Sequence, residues 1–215
     1  MMDKLGKLWS DSKYRLFAIV MLLSLIADQA TKVWARATLP VGGHGSGAGG
    51  TCIIPDDIIA RHCGGLPKVV IDGYWDWRLS QNPGSAFGLF GSFGANFTRV
   101  LLSLIGIGAV IGMMVMLRKA RPDQRILHWA LALVAGGAIG NLIDRIYFSE
   151  VTDFILWKYK THEWPVFNVA DVVLVVGVGL MFIDIQKENK RNKETRESRM
   201  AKAKAAGLIK DHSRK

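Results

Sequence analysis

No HExxH, no GxSxG and no Cys/His pair inside an apolar run occurs in these 215 residues. The compact signatures of zinc hydrolases, serine hydrolases and thiol hydrolases are therefore missing. The one glycine-dense stretch, VGGHGSGAGG at residues 41–50, is not followed by Lys-Ser/Thr and has no strand–turn–helix context, which excludes a P-loop and leaves a flexible linker. Cysteine is scarce: Cys52 and Cys63 fall in one segment, where an oxidising compartment would let them bridge. His44 and His62 lie nearby, but the spacing matches no compact zinc pattern.

Acidic residues are also in short supply, 18 against 28 Lys and Arg, for a formal charge of +10, while half of the chain is hydrophobic. That combination fits apolar spans with basic loops and tails better than a soluble globule. Four apolar blocks stand out, Tyr14 to Trp34, Val100 to Leu117, Ile126 to Ile143 and Phe167 to Ile185. Each approaches the roughly 20 residues that a helix needs to cross a ~30 Å hydrocarbon layer. The first block competes with a signal-peptide reading, although no small-residue cleavage pattern follows it. Lys4, Lys7, Lys13 and Arg15 precede span one, Arg118, Lys119, Arg121 and Arg125 join spans two and three, and eleven more basic residues follow Ile185. The positive-inside rule makes those three regions cytoplasmic, with both termini inside.

The expected fold is an all-α membrane protein, with four transmembrane helices and a small extracytoplasmic β region between the first two spans. The membrane unit covers residues 1–185, including an external segment 36–97 with a Gly-rich insertion at 41–66. A basic cytoplasmic tail, 186–215, follows. Within the external segment Trp75, Trp77 and Leu79 alternate with Tyr74, Asp76 and Arg78, a strand signature. The tail reads as a solvated orientation signal touching anionic headgroups; without interleaved aromatics or a reading fold it carries no case for nucleic acid. Paired small residues, Gly108 with Gly112, Gly136 with Gly140, and Gly177 and Gly179, suit close helix contact in lipid.

Ionisable groups in spans cost about 2.5 to 3.5 kcal/mol near a helix centre, less at the interface. Here Asp28 and Lys32, Asp144 and Arg145, Asp153 and Asp171 all fall toward the external end of the bundle. Each has a structural reading: Asp28 and Lys32 as an i,i+4 pair, Asn168 and Asp171 as an N-cap and its third helical residue, Asn141 and Asp144 as neighbours on one face, Asn82-Pro83-Gly84 as a type II turn. Capping alone does not explain four acids at one depth. Arg145 points away from Asp144 and is free for another carboxylate or a substrate carbonyl. Two carboxylates in a partly dry site share one proton, and the pair can activate water while polarising a carbonyl. That chemistry needs neither metal nor cofactor. Asp153 and Asp171 are the best pair, because an 18-residue external connection can fold them together. A transporter or a purely structural scaffold are the competing readings; a transporter would place its acids at midplane within inverted repeats, which are not seen.

DQATK, NPGSAF, GGAIGNLIDR, VTDFI and FNVAD, in this order, resemble the bacterial lipoprotein signal peptidases (signal peptidase II). The likeness spans residues 14–185. It implies an intramembrane aspartic endopeptidase of the bacterial plasma (inner) membrane, its active site toward the extracytoplasmic face, that cuts prolipoproteins before a diacylglyceryl-modified cysteine. It assigns catalysis to Asp153 and Asp171. Asn82, Asn141, Arg145 and Asn168 match residues holding the substrate backbone or the acids, and Asp28, Lys32 and Asp144 match supporting positions. Gly84, Phe87, Gly137 and Ala170 complete the motifs. The implied partners are lipidated prolipoproteins and membrane lipids; separately, a monomer is expected, and the loop carrying Asn82 and Phe87 is expected to act as a lid over the site. The Gly-rich insertion and the long basic tail exceed the family core.

Overall fold

The computed structural model describes residues 11–40, 67–84, 95–160 and 162–206. Four helices, α1 (Ser12–Thr38), α2 (Ala95–Lys119), α3 (Arg125–Tyr147) and α4 (Val169–Ala205), are each long and apolar enough to cross a membrane. The hydrophobic blocks of the sequence are their centres, and the fourth helix runs on well into the basic tail. Cys52, Cys63, His44, His62, the Gly-rich insertion and Phe87 lie outside the described residues.

The helices are not equivalent. Of its apolar window, α3 has 61 % buried within the chain and α2 only 6 %, so α3 is the central post and α2 a peripheral one. Small residues let α3 take that position. A Cβ on Gly137 would stand 2.6 Å from the Ala170 carbonyl oxygen of α4, and one on Gly140 would run into the Asp28 carboxylate of α1. Gly136 abuts Ser24 of α1 in the same way, and Gly177 of α4 abuts Val134 and the Ala130 carbonyl of α3. By contrast Gly108, Gly112 and Gly179 have open space where a side chain would stand, so contact among the described residues does not account for them.

Helix ends are set by local chemistry. Asp11 caps α1 by accepting the Lys13 backbone N–H, and α1 stops just before Pro40. The Lys13 ammonium donates to the Ala120 and Arg118 carbonyls (3.0 and 3.4 Å), satisfying the C-terminus of α2. Asn168 begins α4 with a complete capping box: its side chain accepts the Asp171 N–H while the Asp171 carboxylate accepts the Asn168 N–H.

An antiparallel sheet stands at the end of the bundle where α4 begins. Its order is β1 (Lys68–Ile71), β2 (Trp75–Asn82), β3 (Val151–Tyr159) and β4 (His162–Glu163). The segment between spans one and two supplies the first hairpin, as its alternation suggests. The segment between spans three and four supplies the other two strands, β3 being the longest of the sheet. The alternation in β2 breaks at a register shift between Trp77 and Ser80, and Asp76 is buried, ion-paired with Lys158. Beyond the shift, Ser80 stands opposite Asp153, Gln81 opposite Thr152 and Asn82 opposite Val151. Leu79 and Phe154 pack on Ala35 and Leu39 at the end of α1, which ties the sheet to the helices. An isolated bridge between Ile155 and Phe167 then delivers Asn168 beside β3.

Candidate active site

Asp153 sits near the start of β3 and Asp171 in the first turn of α4, and the bridge at Phe167 brings these two ends together. Asn168 joins them. Its Nδ2 donates to Asp153 Oδ1 at 2.6 Å, its backbone N–H donates to Asp171 Oδ2 at 3.2 Å, and its Oδ1 accepts the Asp171 N–H at 3.0 Å. Because Oδ1 is committed to the helix cap, the amide nitrogen has to face Asp153. The cap thus serves a second purpose.

Two more asparagines complete the donor shell around the acids. Asn82 Nδ2 donates to Asp153 Oδ2 (2.9 Å), and its Oδ1 takes the Gly84 N–H (2.9 Å), an Asx turn that fixes the amide orientation. Gly84 has φ +104, and a Cβ there would meet Leu102 Cδ1 at 2.5 Å, so the turn is reserved for glycine twice over. Asn141 Nδ2 donates to Asp171 Oδ1 (2.9 Å) from the middle of α3.

Behind this shell lies a buried charge cluster. Asp28, Lys32 and Asp144 are all fully buried, with Lys32 Nζ 2.9 Å from Asp28 and 3.5 Å from Asp144. Lys32 also donates to Asn141 Oδ1 at 2.8 Å, and Asn168 Nδ2 approaches the same oxygen at 3.2 Å. These two donors hold the Asn141 amide with its nitrogen toward Asp171. Asp28 Oδ1 accepts the Ala170 N–H (2.9 Å), so this acid also serves the first turn of α4. Asp28 and Lys32 make the i,i+4 pair that their spacing suggests, but its position in the interior makes it part of the site.

Among the described residues Arg145 makes no ion pair with Asp144 within 4.0 Å, although the two interact electrostatically. Its Nη1 donates to the Asn141 carbonyl (3.3 Å), while its Nε is buried with no hydrogen-bond partner among the described residues, and the side chain is within electrostatic reach of Asp171, Asp153 and Asp144. Gly137 and Ala170 stand at a close approach of α3 and α4. Phe87 and most of the expected lid fall outside the described residues.

Three participants were not singled out in the sequence. Gln29 Nε2 donates to Asp28 and to the Gly140 carbonyl (3.0 and 3.1 Å). Arg36 Nη1 donates to the Thr152 hydroxyl (2.8 Å), and the Thr152 N–H donates to Asp144 Oδ2 (2.8 Å). A signal for Arg36 was present: with Asp28 and Lys32 it forms an i, i+4, i+8 row on one helix face.

Burial, first, and then the neighbouring charge of Asp171 push the Asp153 carboxyl up to about 7, against the opposing hydrogen bonds from Asn82 and Asn168. A carboxylic acid that keeps its proton to neutral pH, joined through one residue to a second carboxylate, is equipped to donate a hydrogen bond and accept a proton in one event. Among the described residues no group of three or more His, Cys, Asp or Glu side chains is arranged to hold a metal ion.

The family model described as signal peptidase (SPase) II matches residues 20–187. The chain is similar to the lipoprotein signal peptidase of Geobacter sulfurreducens, 37 % identical with 83 % of this chain and 96 % of that protein covered. It is also similar to that of Pseudomonas putida, 42 % identical over 79 % of this chain and 85 % of the other. A bacterial membrane enzyme structure obtained by the in meso method at 2.3 Å resolution shares the fold with a TM-score of 0.62 and 24 % identity, over 81 % of this chain and 90 % of that one. The transporter and scaffold readings give way to these likenesses. The chain belongs to the signal peptidase II family, multi-pass membrane peptidases of the aspartic type.

Proposed function

We propose that this chain removes signal peptides from diacylglyceryl-modified prolipoproteins, cleaving before the lipidated cysteine by water attack across Asp153 and Asp171. The observation that carries the reading is Asn168, one residue hydrogen-bonded to both carboxyls at once. Asp153, whose proton is retained to about pH 7, hydrogen-bonds the scissile carbonyl. Asp171 accepts the proton of water as the oxygen adds to the carbonyl carbon, and returns it to the leaving nitrogen. The unpartnered Nε of Arg145 suits a substrate carbonyl beside the reacting bond.

The depth of the acids supports the substrate class. Acyl chains held in the bilayer, at ~0.8 kcal/mol per buried methylene, fix the scissile bond near the interface, and the acids stand where the spans meet the sheet. The excess of Lys and Arg in the α2–α3 connection and after Ile185 argues for cytoplasmic termini in the bacterial inner membrane, with the sheet and site on the extracytoplasmic side. A monomer working on lipidated precursors in its own bilayer, with no cofactor and no nucleic-acid partner, is the simplest assembly.

The test is cleavage of a synthetic diacylglyceryl-cysteine precursor by the purified protein in lipid. Asp153→Asn and Asp171→Asn each lower turnover by about 10²- to 10⁴-fold, the range for loss of an acid–base group, while unlipidated precursor is left uncut by the parent enzyme. Wild-type turnover in either variant overturns the mechanism; efficient cutting of unlipidated precursor overturns the substrate class.

A further inference from the structure

The ladder that carries Asp153 is irregular where it matters: the register between β2 and β3 shifts between Trp77 and Ser80, immediately before the Ser80–Asp153 pair. Strand pairing alone therefore aims the carboxyl loosely. The residue before it, Thr152, is fully buried and is held from two helices. Its N–H donates to Asp144 Oδ2 of α3, and its hydroxyl accepts from Arg36 Nη1 of α1. The same Arg36 nitrogen stands 3.7 Å from Asp144 Oδ1, closing a three-membered ring of contacts. The Arg36 guanidinium also lies over the Phe148 ring, 4.3 Å from its centroid, at the residue that ends α3.

We infer that Arg36 is a positioning residue for the reaction: through Thr152 it clamps the start of β3 to α1 and α3, and so holds the Asp153 carboxyl against Asn82 and Asn168. A guanidinium suits this task better than an ammonium, since its planar face lies on the aromatic ring while Nη1 at its edge reaches both the hydroxyl and the carboxylate. The buried cluster then serves both catalytic acids through separate arms. Lys32 acts through Asn141 on Asp171; Asp144 and Arg36 act through Thr152 on Asp153. The charged groups gathered around these arms are Asp28 and Lys32 of α1, Asp144 and Arg145 of α3, and Asp171 of α4.

The inference rests on the proposed aspartic mechanism, and the variants separate the two. Arg36→Met and Thr152→Val are assayed on the diacylglyceryl-cysteine precursor peptide, with Asp153→Asn alongside. Each of the first two is expected to lower kcat by about 10- to 100-fold with KM little changed, the cost of a displaced reacting group. The double variant should be no worse than either single one, because both break the same link. Arg36→Lys, which keeps one donor, should fall between Arg36→Met and the parent. The Asn82 and Asn168 hydrogen bonds oppose the rise at Asp153, so loosening them moves the alkaline limb of the kcat profile to higher pH. Simple destabilisation would not move that limb. Parent kcat and pH profile in a folded Arg36→Met overturn the clamp, as does a loss in Arg36→Met that Thr152→Val does not reproduce. If Arg36→Met does not fold, Thr152→Val decides alone by the same kcat and pH criteria. Turnover surviving in Asp153→Asn defeats the mechanism itself, whatever Arg36 does.

Discussion

The two ends of the helix bundle use the same kinds of residue in opposite ways. Beside the sheet, Lys32 stands between Asp28 and Asp144 with none of the three reached by solvent. At the other end, Arg121 meets Glu188 at 2.7 Å and Arg191 meets Asp123 at 2.7 Å, but these side chains are between 18 and 55 % exposed. Contact length does not distinguish the clusters; burial does. An exposed ion pair is cheap to make and contributes little, whereas a buried one carries a desolvation cost that a well-packed apolar core would avoid. A chain that retains three buried charges at one end gains something there other than stability.

The sharpest way to break this contrast is Lys32→Met. It leaves Asp28 and Asp144 buried without their common cation, and should cost about 3–5 kcal/mol in denaturant unfolding in mild detergent. Neutralising all three positions together, as Asp28→Asn, Lys32→Met and Asp144→Asn, should recover much of that loss without recovering turnover. If Lys32→Met unfolds at the parent's midpoint, the buried cluster is no different in kind from the exposed one.

A smaller effect comes from Asp153. Its folded pKa, about 7, is raised from 3.8, so the folded protein binds the extra proton between those values and stability falls as pH rises through the window. Asp153→Asn has no proton to lose there. The melting temperature of the variant relative to the parent should therefore rise from about pH 4 to about pH 7, as read by thermal scans in lipid nanodiscs; a pH-independent difference contradicts the burial argument. Smallest of all, Arg191→Ala removes two partly exposed pairs at the opposite end, to Asp123 and Glu188, and should leave both turnover and melting temperature within scatter. A clear loss there would give the end of the bundle opposite the sheet a role that its exposure does not suggest.

The spans were legible because length and apolar content suffice to define them, and the five motifs marked nearly every polar group of the site. Less legible was the sheet's dependence on the third connection: VTDFILWKY reads as a short excursion between helices, and only its pairing with Trp75–Asn82 makes it the longest strand. The alternation in β2 did not reveal that Asp76 is buried, where it pairs with Lys158. Arg36 and Thr152 were missed for a physical reason. Their link joins residues 116 apart, and no periodicity reports a contact between a helix end and a strand start.

Asp171 is both initiator and reagent: the oxygen that accepts the Asn168 N–H to start α4 belongs to the carboxyl proposed to take the proton from water. Evolution and the experimenter therefore meet the same restriction there, since a replacement that lacks a side-chain oxygen removes the reagent and the capping contact of a 37-residue rod together. Asp153, on a strand and outside any helix cap, is the member of the couple whose replacement leaves the capping box of α4 in place.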